Sequence, residues 1–379
     1  MASIKQRFLK SGESRFDVIW RVKGDRVPKS VTLNAKDSAI TMKTLLEAHD
    51  HDINRVTRLI AQSKVSGPMV DELAQEHVGA LLRPQGSTIR DYEAYVKNHI
   101  SKHFAGIRAA SIVHDDIVRW VRYMQEKGMS PKTIANVHGF LSSVFKTGVR
   151  QKIIETNPCL GIAMPVDDEA GDAEMFLTLD EYRLILEHIP ERWVPMYEFL
   201  IGTGARFGEA SALSVDDFTL DAEVATVRIS KAWKTDRDRQ PYIGSPKYQS
   251  RRTVSLEATL TQIIVQHIKE NKLGSGDYIF QRPNGRPVDN QAFSKQCWKK
   301  AVFAARSHKD ETRRLRKSPT PHDLRHTHIS WLLSAGVPLF EVSRRVGHRS
   351  TDFTAKKYGH FMPQAQRRAA DAMAEIMGR

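Results

Sequence analysis

Five carboxylates fall within eight residues, Asp167 to Glu174, just behind Pro165. A run this acidic and this poor in large apolar side chains cannot join a core, so it reads as a linker with separate domains on either side. A second break stands at Gly67-Pro68. The 379 residues are too many for one ordinary domain and suit two or three. The expected division is 1–65, 66–166, a linker at 167–175, and 176–379.

In the first segment Phe16, Val18, Trp20 and Val22 alternate with polar residues, the period of a half-buried strand. Gly24-Asp25 marks a turn, and Asp37 is placed to cap a helix reaching about Gln62, with Ile53, Val56 and Ile60 on one face. The second segment is helical. Its stripes are Leu73, Val78, Leu81 and Leu82, then Tyr92, Tyr95, Val96 and Ile100, then Ile117, Trp120, Val121 and Met124. Ser130-Pro131 has the form of an N-cap followed by a first-turn proline. Aromatics at helical spacing belong to a core rather than to base-stacking platforms. In the third segment Thr178 or Asp180 caps a helix, and Glu223–Ser230 and Arg251–Leu256 alternate as strands around a turn at Gly244–Ser250. From Thr320 the chain reads helical again, broken at Gly336 and near Gly347.

Charge narrows the partner. Fifty-eight Lys and Arg against forty-four Asp and Glu leave +14, which favours a polyanion, nucleic acid first. The first 65 residues alone hold thirteen Lys/Arg and seven Asp/Glu. Two distant cysteines, Cys159 and Cys297, exclude a disulfide scaffold and suit a reducing cytoplasm. No signal-peptide pattern and no membrane-length apolar stretch is visible.

Three runs carry chemistry. In Thr203-Gly204-Ala205-Arg206-Phe207-Gly208-Glu209, a helix opens at a tight turn with Arg206 and Glu209 as i,i+3 neighbours, a spacing equally suited to a plain surface ion pair. In His322-Asp323-Leu324-Arg325-His326, His322 and Arg325 share a helix start, where guanidinium, ring N–H and helix dipole all favour an anion. His322, His326, His328, His348 and His360 invite a zinc reading, but the His-Glu-x-x-His arrangement is missing and no Cys lies nearby. The third run is Val346-Gly347-His348, followed ten residues after the histidine by Tyr358 between Lys356-Lys357 and Gly359. A phenol is a poor nucleophile at neutral pH unless cations and donors stabilise its anion and the phosphate it attacks.

Together these runs resemble the tyrosine recombinase family, specifically phage integrases of the lambda integrase type. The resemblance implies an α+β, mainly helical chain. A small N-terminal sheet plus helix would bind arm-type sites, a helical domain would bind core-type sites, and a mixed α/β domain would carry catalysis. It implies that Tyr358 displaces a 5′-hydroxyl from DNA to leave a 3′-phosphotyrosyl link. Arg206 and Arg325 would hold the non-bridging oxygens, and His322 would bind phosphate and help take the tyrosine proton. His348 would donate a further hydrogen bond, Lys247 would protonate the leaving oxygen, and Glu209 would orient Arg206. Lys231 and Lys234 are alternatives to Lys247. Neither metal, ATP nor another cofactor is required, because two arginines supply the charge and one phosphodiester replaces another.

The same resemblance implies double-stranded DNA as substrate, a homotetramer on paired sites, a host DNA-bending protein and a recombination directionality factor as partners, and a bacterial cytoplasm, at the nucleoid, as setting. Arm-site candidates are Arg7, Lys10, Arg15, Arg21 and Lys23. Core-site candidates are Lys132, Lys146 and Arg150, and the basic loop Arg306, Arg313, Arg314, Arg316 and Lys317 should reach phosphate. The tail, with Ala365, Ala369, Ala370, Met373, Ala374 and Met377, packs on a neighbouring subunit or on its own domain. The rival readings are a type IB topoisomerase-like enzyme, a non-catalytic helix-turn-helix protein built on residues 322–347, and a metal-dependent nuclease.

Overall fold

The computed structural model describes residues 2–9, 13–22, 27–48, 51, 53, 56–57, 66–82, 86–166, 176–359 and 365–378. The chain divides into two compact units, 1–169 and 170–379.

The first unit holds two apolar cores. One lies under an antiparallel sheet of β1 (Ser3–Phe8), β2 (Ser14–Trp20) and β3 (Lys29–Leu33), with β2 central. The alternation read from Phe16, Val18 and Trp20 puts all three on one face, where Ala39, Met42 and Leu46 of α1 (Lys36–Ala48) cover them. Asp37 sits inside the first turn of α1 rather than at its cap. The helix also stops well short of Gln62. His51 turns to φ 62° and its N–H returns to the Leu46 carbonyl at 2.8 Å, a left-handed stop that satisfies an end carbonyl. Lys10, Lys23, the Gly24-Asp25 turn and Ile60 lie outside the described residues.

The other core belongs to helices. These are α2 (Val70–Gly79), α3 (Gly86–Tyr95), which continues through a wide turn at Val96–Ile100 into α4 (Ser101–Phe104), α5 (His114–Glu126) and α6 (Pro131–Arg150). Ile117, Trp120, Val121 and Met124 are all buried, and Tyr92 stacks on Phe140 with ring centroids 4.6 Å apart. The aromatics are packing groups, as their spacing indicated. Leu82 is not part of the α2 stripe: α2 ends at Gly79, and Leu82 is 98% exposed. Ser130 Oγ accepts the Thr133 N–H at 3.3 Å and caps α6, whose N1 residue is Pro131. The side of α6 opposite its buried residues carries Lys132, Asn136, Gly139, Lys146 and Arg150, all exposed. At 3.6 residues per turn these fall on a single line along the helix.

In the second unit the Thr178 hydroxyl accepts the Glu181 N–H and caps α7 (Leu179–Leu186). Helices α8 (Val194–Thr203) and α9 (Phe207–Ala210) follow. Next come the sheet β4 (Phe218–Thr219), β5 (Thr226–Ile229) and β8 (Arg252–Ser255), in that order, and the hairpin β6 (Ala232–Thr235) with β7 (Pro241–Gly244). The hairpin escapes a pattern reading because its second strand is largely exposed, Tyr242 and Ile243 included, so no apolar alternation marks it. The remaining helices are α10 (Ala258–Glu270), α11 (Asn290–Phe293), α12 (Lys299–Arg306), α13 (Asp323–Ser334), α14 (Leu339–Val346), α15 (Thr351–Tyr358) and α16 (Ala365–Ile376). Buried Phe199, Leu200, Val227, Phe293, Trp298 and Leu324 tie helices and sheet into one core.

Candidate active site

The turn between α8 and α9 is fixed by Gly204. Its φ is +64°, and a Cβ there would stand 2.6 Å from His328 Cδ2, so both backbone and space demand glycine. Two residues on, Arg206 occupies the N-cap of α9. Its N–H and Nη1 donate to the two oxygens of Glu209, each at 2.9 Å. Glu209 is 1% exposed and also accepts from Arg252 Nη2 at 2.7 Å. Burial pushes the Glu209 carboxyl up, but Arg252 and Arg206 outweigh it and hold the group below the usual carboxylate range. Arg252 Nε donates in turn to the Arg345 carbonyl at 2.8 Å, two residues before Gly347.

Arg325 lies on α13 and is 3% exposed. Its Nη1 donates to the Gly204 carbonyl at 2.7 Å, while Nη2 is buried with no hydrogen-bond partner among the described residues. Burial and then the nearby Arg206 pull its pKa down to about 9, which leaves it charged at neutral pH. A buried cation with an idle donor next to a second cation is costly unless an anion completes it. His322 is exposed at the N-cap position of α13, its side chain making no capping bond. The protein around it, then Arg325, holds its imidazole below the usual histidine range. His328 is a structural spacer: its Nδ1 bonds the Ile201 carbonyl at 2.7 Å, its Nε2 accepts from Arg345 Nε at 3.2 Å, and burial draws it down to about 3.

Helix α14 ends at Gly347, φ +68°, where a Cβ would press on Ser250 and Arg252 at 3.0 Å. This turn presents His348, whose Nδ1 is 2.7 Å from the buried Thr354 hydroxyl and whose pKa falls to about 3 through burial, then Arg325 and Arg206. Tyr358 closes α15. It is 3% exposed, packs among Ile329, Leu333, Val342 and Val346, and hydrogen-bonds through its hydroxyl to His326 Nδ1. Lys357 Nζ stands 3.4 Å from the other ring nitrogen of His326. The His322 and His326 rings meet edge-on, centroids 5.0 Å apart.

Arg206, Glu209, Arg325, His322, His348 and Tyr358, scattered over more than 150 positions, thus converge on one face of the second unit. Lys247 is exposed on the short turn Lys247–Gln249 between β7 and β8, its ammonium 5.3 Å from the centre of the Tyr248 ring. Arg349, the neighbour of His348, lies over that same ring at 5.8 Å, so the turn stands beside the site. Of the alternatives, Lys231 is held by Asp217 at 2.7 Å and Ser214 at 3.0 Å, and Lys234 lies on β6. Among the described residues no group of three or more His, Cys, Asp or Glu could hold a metal ion. Read from sequence, Arg252 has no role at the site, and His326 enters there only as a possible zinc ligand. The period of two in β8 carries the signal for Arg252, since it points with buried Val254. No such signal exists for His326, because its partner is 32 residues away in sequence.

The expected DNA contacts divide into two groups. Lys132, Lys146, Arg150 and Arg21 are exposed. Arg7 pairs with Asp17 at 3.2 Å and Arg15 with Glu13 at 3.7 Å. Arg313 is held by Glu187, Arg314 by Glu311 and Lys317 by Glu181. No helix among the described residues is long and apolar enough to cross a membrane.

A helical α+β unit that brings two arginines, two histidines and a tyrosine together on one face has the make-up of a tyrosine recombinase. The chain belongs to the phage integrase family, which matches residues 175–364. It is similar to the ICEBs1 integrase of Bacillus subtilis strain 168, with 28% identity over 296 residues, 74% of this chain and 76% of that one. A tyrosine recombinase XerC-like protein of Caldanaerobacter subterraneus subsp. tengcongensis is 26% identical over 324 residues, 76% of this chain and 78% of that one. Among solved structures, the Tn1549 transposon integrase in complex with a circular intermediate DNA superposes with a TM-score of 0.71 at 22% identity, covering 81% of this chain and all of that one. A lambda integrase dimer bound to a core site gives 0.58 at 15% identity over 93% of both chains. A lambda integrase tetramer bound to a Holliday junction also gives 0.58 at 15%, over 91% and 96%. As a member of this family the chain is an enzyme of site-specific recombination that cleaves and rejoins DNA strands.

Proposed function

We propose that the chain integrates a phage or other mobile genome by attack of Tyr358 on a DNA phosphodiester. The observation that carries this reading is the idle Nη2 of buried Arg325 beside Arg206. A phosphate between the two guanidiniums supplies the missing acceptor and the missing negative charge. In the cleavage step the Tyr358 oxygen forms a bond to phosphorus as the bond from phosphorus to the 5′-oxygen breaks. Lys247 delivers a proton to that oxygen, and His322 binds phosphate and carries the phenolic proton to solvent. His348 is neutral. In the tautomer whose Nδ1 accepts from the Thr354 hydroxyl, the Nε2–H is left to donate to a non-bridging oxygen. Religation reverses the step, so no ATP is consumed.

Core-type DNA is bound through the exposed cationic line of α6, and arm-type DNA through the sheet that carries Arg7 and Arg15, with Arg21 just past its central strand. The lambda integrase tetramer bound to a Holliday junction supports a tetramer on paired sites, and exposed Met373 and Ile376 on α16, with Met377 just after it, offer it apolar surface. A host DNA-bending protein and a directionality factor complete the assembly that joins arm and core sites, in the bacterial cytoplasm at the nucleoid.

The test uses duplexes selected for binding from a random pool and then nicked. In EDTA, wild type forms a denaturation-resistant adduct at a DNA 3′ end and Tyr358→Phe forms none. A Tyr358→Phe protein that still forms the adduct, or a bound wild type that never does, overturns the reading. Strand exchange between two such sites separates the recombinase from a type IB topoisomerase.

A further inference from the structure

We propose that His326 is a positioning residue that donates its Nδ1–H to the Tyr358 oxygen and so favours the phenolate, with Lys357 fixing the tautomer that makes this possible. The inference rests on the reading of Tyr358 as nucleophile. It gives a task to a side chain that does not itself act on the phosphate.

The geometry decides between two opposite roles. A neutral imidazole has one N–H and one lone pair, and its neighbours determine which nitrogen holds which. Tyr358 can donate or accept, so its contact with Nδ1 is silent on the matter. Lys357 can only donate. Its ammonium stands 3.4 Å from Nε2, and that contact is favourable only if Nε2 carries the lone pair. The ring proton is therefore on Nδ1, aimed at the Tyr358 oxygen. A hydrogen bond donated to the charged form of an acid stabilises that form. The converse role, His326 as the base that removes the phenolic proton, is disfavoured. Burial and then Lys357 draw its pKa down to about 4, far below the ordinary phenol value of about 10.

The surroundings agree. Among the described residues, the charged or titratable groups facing His326 are Lys357 and Tyr358 from α15, His322, Asp323 and Arg325 from the start of α13, and His348 from the turn after α14. Asp323 is the acid among them, and its Oδ2 is occupied by the Thr320 N–H and hydroxyl. Cations and neutral rings dominate, which resists a second proton on His326 and favours an anion at its Nδ1 side. Within the cleavage step His326 keeps its own proton throughout. The phenolic proton leaves by the route already given, and atoms and charge balance as before.

The direct test follows the Tyr358 phenol in the full chain labelled with 3-fluorotyrosine, whose earlier ionisation keeps the titration within the folded range. Fluorine NMR resolves the nine tyrosines, and Tyr358→Phe assigns the resonance. His326→Leu and Lys357→Met should each raise the Tyr358 midpoint, by about one pH unit for His326→Leu, a tenfold loss of phenolate. His326→Asn, whose amide N–H falls near the place of Nδ1–H, should stay close to wild type. Adduct formation on the nicked duplex should fall about tenfold in His326→Leu, with the deficit shrinking as pH rises. A merely structural role would lower the rate equally at every pH. An unchanged midpoint in His326→Leu, or an Asn variant that behaves like Leu, overturns the proposal. Should Leu fail to fold, the Asn and Met variants decide. Failure of the nucleophile assignment is read separately, as an adduct that persists in Tyr358→Phe.

Discussion

Glu209 is the residue on which most of the site's geometry depends, because one buried carboxylate satisfies two guanidiniums. Glu209→Gln keeps the size but removes the charge, leaving Arg252 buried beside Arg206 and Arg325. Breaking a buried pair in this way costs on the order of 3 kcal/mol, to be read as a lower urea midpoint for the second unit. Arg206→Ala leaves Glu209 paired with Arg252 and should cost about 1 kcal/mol or less in the same measurement while abolishing adduct formation. Equal destabilisation by the two variants would show that Glu209 serves Arg206 alone.

At the scale of elements, most site residues sit where a helix starts or stops. Arg206 is an N-cap, His322 begins α13, and His348 follows the left-handed end of α14. Such positions combine a rigid scaffold with backbone groups that still lack helical partners. Helix α6 works differently, through its length: twenty residues carry one exposed, largely polar line opposite a mainly apolar buried face. If that line follows a DNA backbone, Lys132→Ala, Lys146→Ala and Arg150→Ala should each weaken binding to all duplex sequences and lower the logarithmic salt slope by about one. A loss confined to one sequence would instead assign these side chains to base edges. An unchanged slope in all three would remove α6 from the interface.

For the molecule as a whole, the pH response follows from its buried histidines. His77, bonded to Thr147 and Ser143, lies below the usual range through burial and then Arg150. His328 and His348 sit at about 3 and His326 at about 4, burial being the first cause in each. In the unfolded chain these rings take protons near pH 6.5, whereas in the folded chain they resist them. The unfolded state thus binds more protons below pH 6.5, and stability falls as pH drops towards the folded values. Glu209, held low in the fold, adds a further loss below its ordinary range near 4.5. The urea midpoint should decline between pH 7 and pH 5, and a flat profile would mean that the rings are already charged in the folded protein.

Much of this was legible in the sequence, because it depends on local rules. The alternation of Phe16, Val18 and Trp20, the Ser130-Pro131 cap, the α5 stripe, and the glycines at 204 and 347 each follow from the geometry of a few neighbouring residues. The order of the three motifs then named the family. What required the tertiary structure are the relations between distant residues. Arg252 reaches Glu209 across 43 positions, Arg325 reaches Gly204 across 121, and His326 meets Tyr358 across 32. The hairpin β6–β7 and the early end of α1 likewise answer to exposure and a single left-handed residue rather than to any apolar period. A sequence specifies which side chains are available and what local backbone they favour. Which of them lose water together, and hence which donor is left idle and which histidine stays neutral, is set only when the chain packs.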